Sequence, residues 1–386
     1  MKIVISKETL EKAVNNICRV INTKNALPIL GDIHFLCLSG NNLVQVMGSD
    51  SEVWLKYELT ATELSDGGEF CVDAGLLQKA LKNLPEQPLE IVVQQGGEYQ
   101  NMAINHQTGH TIIPVENADE YPLPMELNAD ALPCLAVDVD MIKKPVKRCM
   151  YAVCDDPLRP QMSTIFFDNT GDSLNIVASN GHILIKNEER ADRLGGQASL
   201  AFMVPKKAAV VMLSILNDLK GDDGVFFAVD ERQVQMDSDN ITLAFRTPEG
   251  KYPNYESVIP VAIPYLLNAD RLALIQAIKN VSPFASGASN MVTLHIEQQK
   301  LTIHGDDTDF STSATDSLDI ETNFKDGYMN IGMKASSMAD SLSRLAESRV
   351  EMNFIDPSRA VVITPADPYV KDETIIMLIM PMMLNN

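Results

Sequence analysis

Three short stretches decide the fold of this 386-residue chain. They are Leu43-Val-Gln-Val-Met-Gly-Ser-Asp50, Leu174-Asn-Ile-Val-Ala-Ser-Asn180 and Leu301-Thr-Ile-His-Gly-Asp-Asp307. Each alternates in the manner of a half-buried strand and ends in a small residue followed by Ser, Asp or Asn, which favour turns. The small residues are Gly48, Ala178 and Gly305, at intervals of 130 and 127 positions. The sequence therefore predicts one structural unit used three times.

A pair of helices accompanies each stretch. Apolar residues at helical spacing predict upstream helices at 6–21, 138–150 and 270–279, and downstream helices at 73–84, 205–220 and 334–344. Ser6 is suited to cap the first helix, and Pro205 to the first turn of the fourth. Pro145 lies inside the second upstream segment and predicts a kink or an early stop there.

The remaining sequence consists of short alternating segments broken by Gly, Asn and Asp, which predict strands. We therefore expect an α+β fold of three similar domains, each with antiparallel sheets and two helices. The Pro-containing segments near 128–133 and 259–264 place the domains at 1–130, 131–260 and 261–386.

Composition is ordinary for a globular protein, with 45% hydrophobic and 22% charged residues. We expect no membrane span, because no run approaches about 18 apolar residues, and no secretory signal at residues 1–6. A cytoplasmic location is the resulting expectation. The six cysteines form no CxxC pair, which predicts reduced thiols and argues against a zinc site.

The charge is unevenly distributed along the chain. The whole chain carries a net charge of −21, yet each predicted helix carries +1 or +2, so the acidic residues concentrate elsewhere. If the helices pack their apolar stripes on sheets, their cationic faces form a surface suited to DNA phosphates. The alternative is that these lysines are ordinary solvated helix residues. The helical residues expected to face DNA are Lys79, Lys82, Lys143, Lys147, Arg148, Lys206, Lys207, Lys279 and Lys334.

Two other functions remain open from the residues alone. His304, Asp306, Asp307 and Asp309 could bind a divalent cation, which would indicate a metal-dependent nuclease or phosphoesterase. The same residues could instead form the third copy of the repeated turn, and on that interpretation no metal is expected. A multi-domain protein scaffold that does not bind DNA is the other alternative.

Little in the sequence indicates catalysis. His182 has no nucleophile paired with it in any known motif, and phosphate-binding glycine loops and a GxSxG nucleophile elbow are missing from the sequence. We therefore expect a protein that is not an enzyme and that uses no cofactor.

Four motifs resemble the bacterial beta sliding clamp, the beta subunit of DNA polymerase III. They are Ala26-Leu-Pro-Ile-Leu-Gly31, Ser179-Asn-Gly-His182, Tyr252-Pro-Asn-Tyr-Glu-Ser-Val-Ile-Pro260 and Met380-Pro-Met-Met-Leu384. The resemblance runs the full length of the chain. It implies a ring-forming crescent, the DNA clamp, in which two chains join head to tail around duplex DNA. The implied function is that of a processivity factor whose partners are the DNA polymerase III alpha subunit, the clamp loader and other clamp-motif proteins.

The resemblance also implies specific sites. A hydrophobic pocket for partner peptides would be formed by Met162, Ser179, Gly181, His182, Leu184, Pro253, Val258, Leu378, Met380, Pro381 and Met382. Lys24 matches a loop residue that contacts DNA, and Arg159 matches another basic position beside the pocket. Ile183 and Met383 stand where the family often has Arg, which makes the pocket rim less basic. For the ring contact we expect residues 101–113 to meet the helix that ends near Val281.

Overall fold

The structure, a computed structural model, describes residues 1–22, 27–94, 100–125, 127, 131–190, 194–196, 199–324, 327–367 and 373–384. The chain divides into two compact units. Unit 1 comprises Met1–Lys143 with Arg193–Glu249, and unit 2 comprises Lys144–Asp192 with Gly250–Asn386. The division into three domains at 130 and 260 stays a prediction.

All six predicted helices are present. They are α1 (Lys7–Ile17), α2 (Ala74–Lys82), α3 (Val139–Cys149), α4 (Lys206–Asp218), α5 (Arg271–Val281) and α6 (Ala335–Ser343). Ser6 caps α1 as predicted, because its side chain accepts the N–H of Thr9. The predicted early stop at Pro145 is wrong, since α3 continues through this residue to Cys149. No helix in the described ranges combines the length and apolar character needed to cross a membrane.

Strands make up most of the remainder. The first thirteen are β1 (Lys2–Ser6), β2 (Asp32–Leu38), β3 (Leu43–Ser49), β4 (Val53–Thr60), β5 (Glu63–Leu64), β6 (Gly68–Asp73), β7 (Pro88–Gln94), β8 (Asn101–His106), β9 (Gly109–Glu116), β10 (Cys134–Asp138), β11 (Thr164–Asn169), β12 (Ser173–Ser179) and β13 (Ile183–Arg190). The others are β14 (Gly195–Gly196), β15 (Leu200–Pro205), β16 (Gly224–Val229), β17 (Gln233–Ser238), β18 (Ile241–Arg246), β19 (Tyr265–Asp270), β20 (Met291–Ile296), β21 (Lys300–Asp307), β22 (Thr312–Asp319), β23 (Glu321–Thr322), β24 (Met329–Lys334), β25 (Arg349–Phe354), β26 (Val361–Pro365) and β27 (Glu373–Ile379).

The sheets are antiparallel, which confirms the predicted α+β class. Unit 1 contains one long sheet in the order β14-β10-β16-β17-β18-β4-β3-β2-β6-β9-β8-β7-β1-β5. In unit 2 one sheet includes the order β11-β12-β13-β27-β26-β25-β19-β23, and a second has the order β22-β21-β20-β24. In each unit a strand from a later part of the sequence pairs with the strand that follows a repeated turn. β18 pairs with β4, and β27 pairs with β13.

The repeated turn has the same hydrogen bonds in all three copies. The side-chain oxygen of Asp50, Asn180 or Asp307 accepts the backbone N–H groups two and three residues later. The six N···O distances lie between 2.8 and 3.2 Å. Because the side chain takes the place of a backbone acceptor, each turn is fixed locally by one Asx residue.

Helix packing explains the glycines that precede the first and third turns. A Cβ at Gly48 would overlap with Cγ2 of Ile17, the last residue of α1. A Cβ at Gly305 would lie 2.8 Å from Cγ1 of Val281, the last residue of α5. A larger side chain at either position would push the helix off its strand, so the spacing seen in the sequence records a repeated close contact between helix and strand.

Candidate functional site

An apolar groove of about 210 Å³ lies in unit 2. It is formed by the turn between β12 and β13, the end of β27, and the segment that follows β18 in the chain. Its lining residues are Met162, Ser179, Gly181, His182, Ile183, Leu184, Tyr252, Pro253, Asn254, Tyr255, Val258, Ala360, Leu378 and Met380. Nine of the eleven residues predicted for the partner pocket are therefore brought together around one cavity.

Two predicted residues, Pro381 and Met382, do not line this groove. The chain turns away after Met380, because the N–H of Met382 donates to the carbonyl of Gly332 on β24 at 2.7 Å. A Cβ at Gly332 would lie 2.6 Å from the carbonyl oxygen of Met382, so only glycine permits this approach. The terminal motif therefore divides between a groove-lining part and a part anchored to the neighbouring strand.

The Asx turn forms one edge of the groove. Ser179 Oγ donates to the carbonyl of Ile183 at 2.9 Å and accepts the N–H of Gly181 at 3.2 Å. Gly181 has a φ of +87°, in the left-handed region that favours glycine. The carbonyl of His182 accepts the N–H of Met380 at 2.8 Å, so the turn and the end of β27 are joined by a backbone hydrogen bond.

The floor of the groove is a cross-strand pair. Leu184 on β13 lies opposite Leu378 on β27 in the antiparallel ladder. Both side chains are buried, while Met380, two residues further on, is 42% exposed. Leucine and methionine side chains here present apolar surface that a ligand can cover, and methionine adapts to ligands of different shape.

Aromatic residues form the opposite wall. Tyr252 stacks on Phe166 with ring centroids 4.7 Å apart, and Tyr255 meets the same ring edge-on at 6.2 Å. The Tyr255 hydroxyl donates to Asp168 Oδ2 at 2.7 Å. Burial, together with the neighbouring Asp168 carboxylate, raises the pKa of Tyr255 well above its usual range, so the hydroxyl stays a neutral donor.

Four lining residues were not predicted, Tyr252, Asn254, Tyr255 and Ala360, and Ile183 was placed only at the pocket rim. The two tyrosines belong to a motif from which only Pro253 and Val258 were selected. Because tyrosine rings often form the walls of binding sites, they could have been predicted as lining residues. Ala360 lies in the loop before β26, and nothing in the sequence connects it with the turn after β12.

Arg159 lies at the rim of the groove. Its Nη1 would be 3.5 Å from a Cβ at Gly181, and its Nε donates to Asp156 Oδ2 at 2.9 Å. The side chains of both residues are substantially exposed, so this ion pair is solvent-screened. The Asp156 carboxylate raises the pKa of Arg159, while the backbone N–H of Leu158, followed by the Arg159 guanidinium, lowers the pKa of Asp156.

The cationic residues predicted to face DNA occupy different environments. Lys79, Lys82, Lys147, Lys279 and Lys334 are exposed on or beside their helices, and Lys143 and Lys206 are half-buried. Lys24 lies outside the described residues. In unit 1 the helices α2, α1 and α4 lie side by side, joined by Gln78–Asn15 and Asn16–Asp218 hydrogen bonds of 3.0 Å.

Two of the cationic predictions need correction. The guanidinium of Arg148 is buried and bonded to Glu373 and to Asn187 Oδ1, so both of its Nη groups donate inside unit 2. The ammonium of Lys207 pairs with Asp50 and donates to the carbonyl of Val20 at 2.7 Å. Helical periodicity predicted that both side chains face DNA, but it could not reveal the acceptors that distant parts of the chain supply.

The metal-dependent alternative is not supported. Asp307 uses its carboxylate to accept backbone N–H groups of the turn, and His304 Nδ1 lies 2.9 Å from Thr315 Oγ1. Within the ranges that the structure describes, no three His, Cys, Asp or Glu side chains are arranged to hold a metal ion. The interpretation of this stretch as a third repeat turn accounts for the same residues.

Comparison with known sequences identifies the family. The profile of the DNA polymerase III beta subunit, N-terminal domain, matches residues 1–126, and that of its C-terminal domain matches residues 256–383. The chain belongs to the beta sliding clamp family. The resemblance inferred from four motifs is thereby confirmed, and the family consists of non-catalytic processivity factors.

Individual beta sliding clamps are distant in sequence but match along nearly their whole length. The beta sliding clamp of Bacillus subtilis is 23% identical over 391 residues, covering 99% of each chain. That of Synechocystis is 22% identical over 383 residues, covering 95% of this chain and 96% of the relative. A crystal structure of the DNA polymerase III subunit beta from Pseudomonas aeruginosa shares the fold, with a TM-score of 0.90, 20% identity and full coverage of both chains.

Proposed function

We propose that this beta clamp encircles duplex DNA and tethers the replicative polymerase through the groove of unit 2. The observation that supports this most directly is the groove itself, where nine of the eleven residues that the family resemblance assigns to the partner pocket converge on one cavity. Its partners would be the DNA polymerase III alpha subunit, the clamp loader and other clamp-motif proteins, all in the cytoplasm. The protein would use no cofactor and catalyse no reaction; it would act by keeping the polymerase attached to its DNA template.

The lining of the groove favours a short peptide with apolar side chains. Leu184, Leu378, Met162 and Met380 supply apolar surface, and the Tyr252–Phe166 stack supplies a rigid wall. Burying one leucine-sized side chain in such a groove contributes roughly 1.5–3 kcal/mol. Two or three such anchors would give a binding strong enough to hold a polymerase yet weak enough for partners to exchange.

Strand pairing within the chain suggests how a ring closes. β4 and β13 follow the first and second repeat turns, and each pairs with a late strand, β18 or β27. β22 follows the third repeat turn and forms the edge of its sheet in the described residues. Among the described residues, β9 also has an unpaired edge along 109–113, because its pairing with β6 begins only at Val115.

If the strand after every repeat turn pairs with another strand in this way, β22 of one chain pairs with β9 of a second chain, head to tail. Leu55 lies opposite Leu243 and Ile185 opposite Met377, and the hairpin registers place Ala314 and Thr111 at the corresponding positions. Ile112 on β9 and Leu272 on α5 are 59% and 62% exposed, and the contact between chains would cover this apolar surface. Two identical contacts of this kind close a two-chain ring.

Contact with DNA would be electrostatic and independent of base sequence. The exposed lysines that remain from the prediction are Lys79, Lys82, Lys147, Lys279 and Lys334, with Arg159 beside the groove. Because the rest of the chain is strongly acidic, the attraction between these side chains and DNA phosphates would be local, and salt would weaken it. Weak phosphate contacts let a closed ring slide. The three repeats would correspond to domains at 1–130, 131–260 and 261–386.

A peptide-binding experiment tests the groove. The probe is a fluorescein-labelled octapeptide of Ser and Gln that carries two leucines and one phenylalanine, and the readout is fluorescence anisotropy. We expect Met380→Ser to weaken binding at least about tenfold, since it removes an apolar wall residue. The matched control is Met383→Ser, which changes an 83% exposed methionine outside the groove and should leave affinity unchanged. Equal affinities for both variants would contradict the assignment of the groove.

A further inference from the structure

Unit 1 contains the elements that build the groove of unit 2, in the same order. The turn after Asp50 corresponds to the turn after Asn180, with the same pair of Asx hydrogen bonds. The dipeptide Tyr121-Pro122 corresponds to Tyr252-Pro253 at a spacing of 131 residues. The single-turn helix Pro28–Gly31 precedes β2 as Pro160–Ser163 precedes β11.

The two copies differ at several positions, among them Gly181, His182 and Met380, where unit 1 has Ser51, Glu52 and Arg246, and the difference that fills the space is a cross-strand pair. In unit 2, Leu184 lies opposite Leu378, and both line the open groove. In unit 1, the corresponding residues are Trp54 and Ala244, which lie opposite each other on β4 and β18. Leu184 and Trp54 occupy equivalent positions, because each lies just after its Asx turn and opposite the serine just before it. Leu184 lies opposite Ser179, and Trp54 lies opposite Ser49.

Trp54 occupies the space that is open in the other copy. It is 4% exposed and packs in one cluster with Met47, Cys71, Ala118, Tyr121 and Ala244. Its indole N–H donates to the carbonyl of Pro122 at 3.0 Å, and the guanidinium of Arg246 lies 5.8 Å from the ring centroid. The small side chain of Ala244, directly opposite Trp54, leaves room for the indole.

We propose that unit 1 holds a second copy of the peptide groove, closed by its own Trp54. The Trp54–Ala244 pair then determines that one chain binds one partner peptide instead of two. The ligand of the opened copy would be of the same class, a short peptide with apolar anchors, because the tyrosine, proline and Asx turn around it are the same. This proposal rests on the groove of unit 2 being a peptide site.

Exchanging the two pairs tests it. Trp54→Leu with Ala244→Leu gives unit 1 the pair of unit 2, and Leu184→Trp with Leu378→Ala gives unit 2 the pair of unit 1. Stoichiometry is measured by isothermal titration with the unlabelled octapeptide of Ser and Gln carrying two leucines and one phenylalanine. We expect one site per chain for the unchanged protein, two for the first variant, none for the second, and one for the combination of all four substitutions.

The outcomes separate this inference from the function it rests on. If the unchanged chain binds no peptide, the groove assignment itself fails. If it binds one peptide, but the first variant is folded by circular dichroism and still binds one, the second groove does not exist. If the first variant fails to fold, the second variant decides, because undiminished binding with Leu184→Trp and Leu378→Ala would overturn the claim that this pair closes a groove.

The single tryptophan gives an independent readout. Because Trp54 is buried in unit 1, its emission should stay unchanged when the unchanged protein binds peptide in unit 2. In the second variant with Trp54→Phe added, the new indole at position 184 should emit at the short wavelengths of a buried indole. Long-wavelength emission from that variant would mean that the indole does not fill the groove and would contradict the proposal.

Discussion

Arg148, on the last turn of α3, forms a buried ion pair with Glu373, the first residue of β27. Both side chains are less than 10% exposed, and Arg148 also donates to Asn187 Oδ1 at 3.2 Å. β27 runs from Glu373 to Ile379; its residue Leu378 and Met380, directly after it, line the groove. The ion pair therefore fixes the start of the strand whose other end forms the candidate binding surface.

Removing one partner of this pair should be strongly destabilising. Glu373→Ala leaves a buried guanidinium without its counter-charge, and we expect a loss of about 3–5 kcal/mol in the free energy of unfolding. The control is Glu321→Ala, which breaks the exposed pair with Arg349 and should change stability by less than about 1 kcal/mol. Urea denaturation measures both. Losses of similar size would show that burial does not set the strength of the pair.

The bond between Gly332 and Met382 predicts a selective effect on the chain terminus. Gly332→Ala places a Cβ against the Met382 carbonyl, so the bridge should break and the residues after Met380 should lose their anchor. Hydrogen exchange at the Met382 amide should become at least about tenfold faster. Gly287→Ala is the control, because a Cβ there meets nothing within 4 Å. Unchanged protection of Met382 in the Gly332 variant would refute this account of the tail.

Asp32 predicts a pH dependence of stability. Burial, and then the nearby carboxylates of Glu116 and Asp73, raise the pKa of Asp32 to about 6 from an ordinary 3.8. Between these values the folded state holds a proton that the unfolded state has lost, so unfolding free energy falls as pH rises toward 6 and the penalty persists above it. Asp32→Asn should therefore stabilise the protein at pH 8 and have little effect below pH 4.

Thermal unfolding at both pH values measures this effect. The exposed Asp222→Asn serves as the control and should give the same small change at each pH. If Asp32→Asn lowers the melting temperature at pH 8, the buried carboxylate is stabilised by contacts that outweigh its desolvation, contrary to the prediction.

Lys79 and Lys82 predict a salt dependence of DNA binding. Both are exposed at the C-terminal end of α2, beside α1. If both contact phosphates, Lys79→Ala with Lys82→Ala should lower the slope of log affinity against log salt by about 2. Lys300→Ala, an exposed lysine at the start of β21, is the control. An unchanged slope in the double variant would mean that α2 does not face DNA.

Periodic features were predictable from the sequence, and pairings between distant residues were not. The six helices and the three Asx turns follow from local spacing and turn chemistry, so Asp50, Asn180 and Asp307 align by sequence alone. The burial of Arg148 depends on Glu373, 225 residues away, and no local pattern contains that information. The same reason explains why periodicity predicted Lys207 to be a free cation although Asp50 neutralises it.

The groove was predicted where family motifs carried the residues, and missed where packing alone brought them in. Leu184 and Leu378 were carried over from the family's pocket, each two positions from a quoted motif, and they lie opposite each other on β13 and β27. Tyr252 and Tyr255 lie within a quoted motif, but their stacking on Phe166 requires knowledge of β11. Pro381 and Met382 were assigned to the groove through the family resemblance, and no local pattern indicates that the chain turns toward Gly332 after Met380.

Retention on circular DNA tests the central claim most directly, that two chains close a ring around the duplex. The chain is loaded on a nicked circular plasmid with its clamp loader, washed in high salt and passed through a gel-filtration column before and after the plasmid is cut. The account predicts that the protein stays with the circle through the wash and is lost after linearisation. Release by salt from the intact circle, or persistence on the cut DNA, would contradict topological linkage.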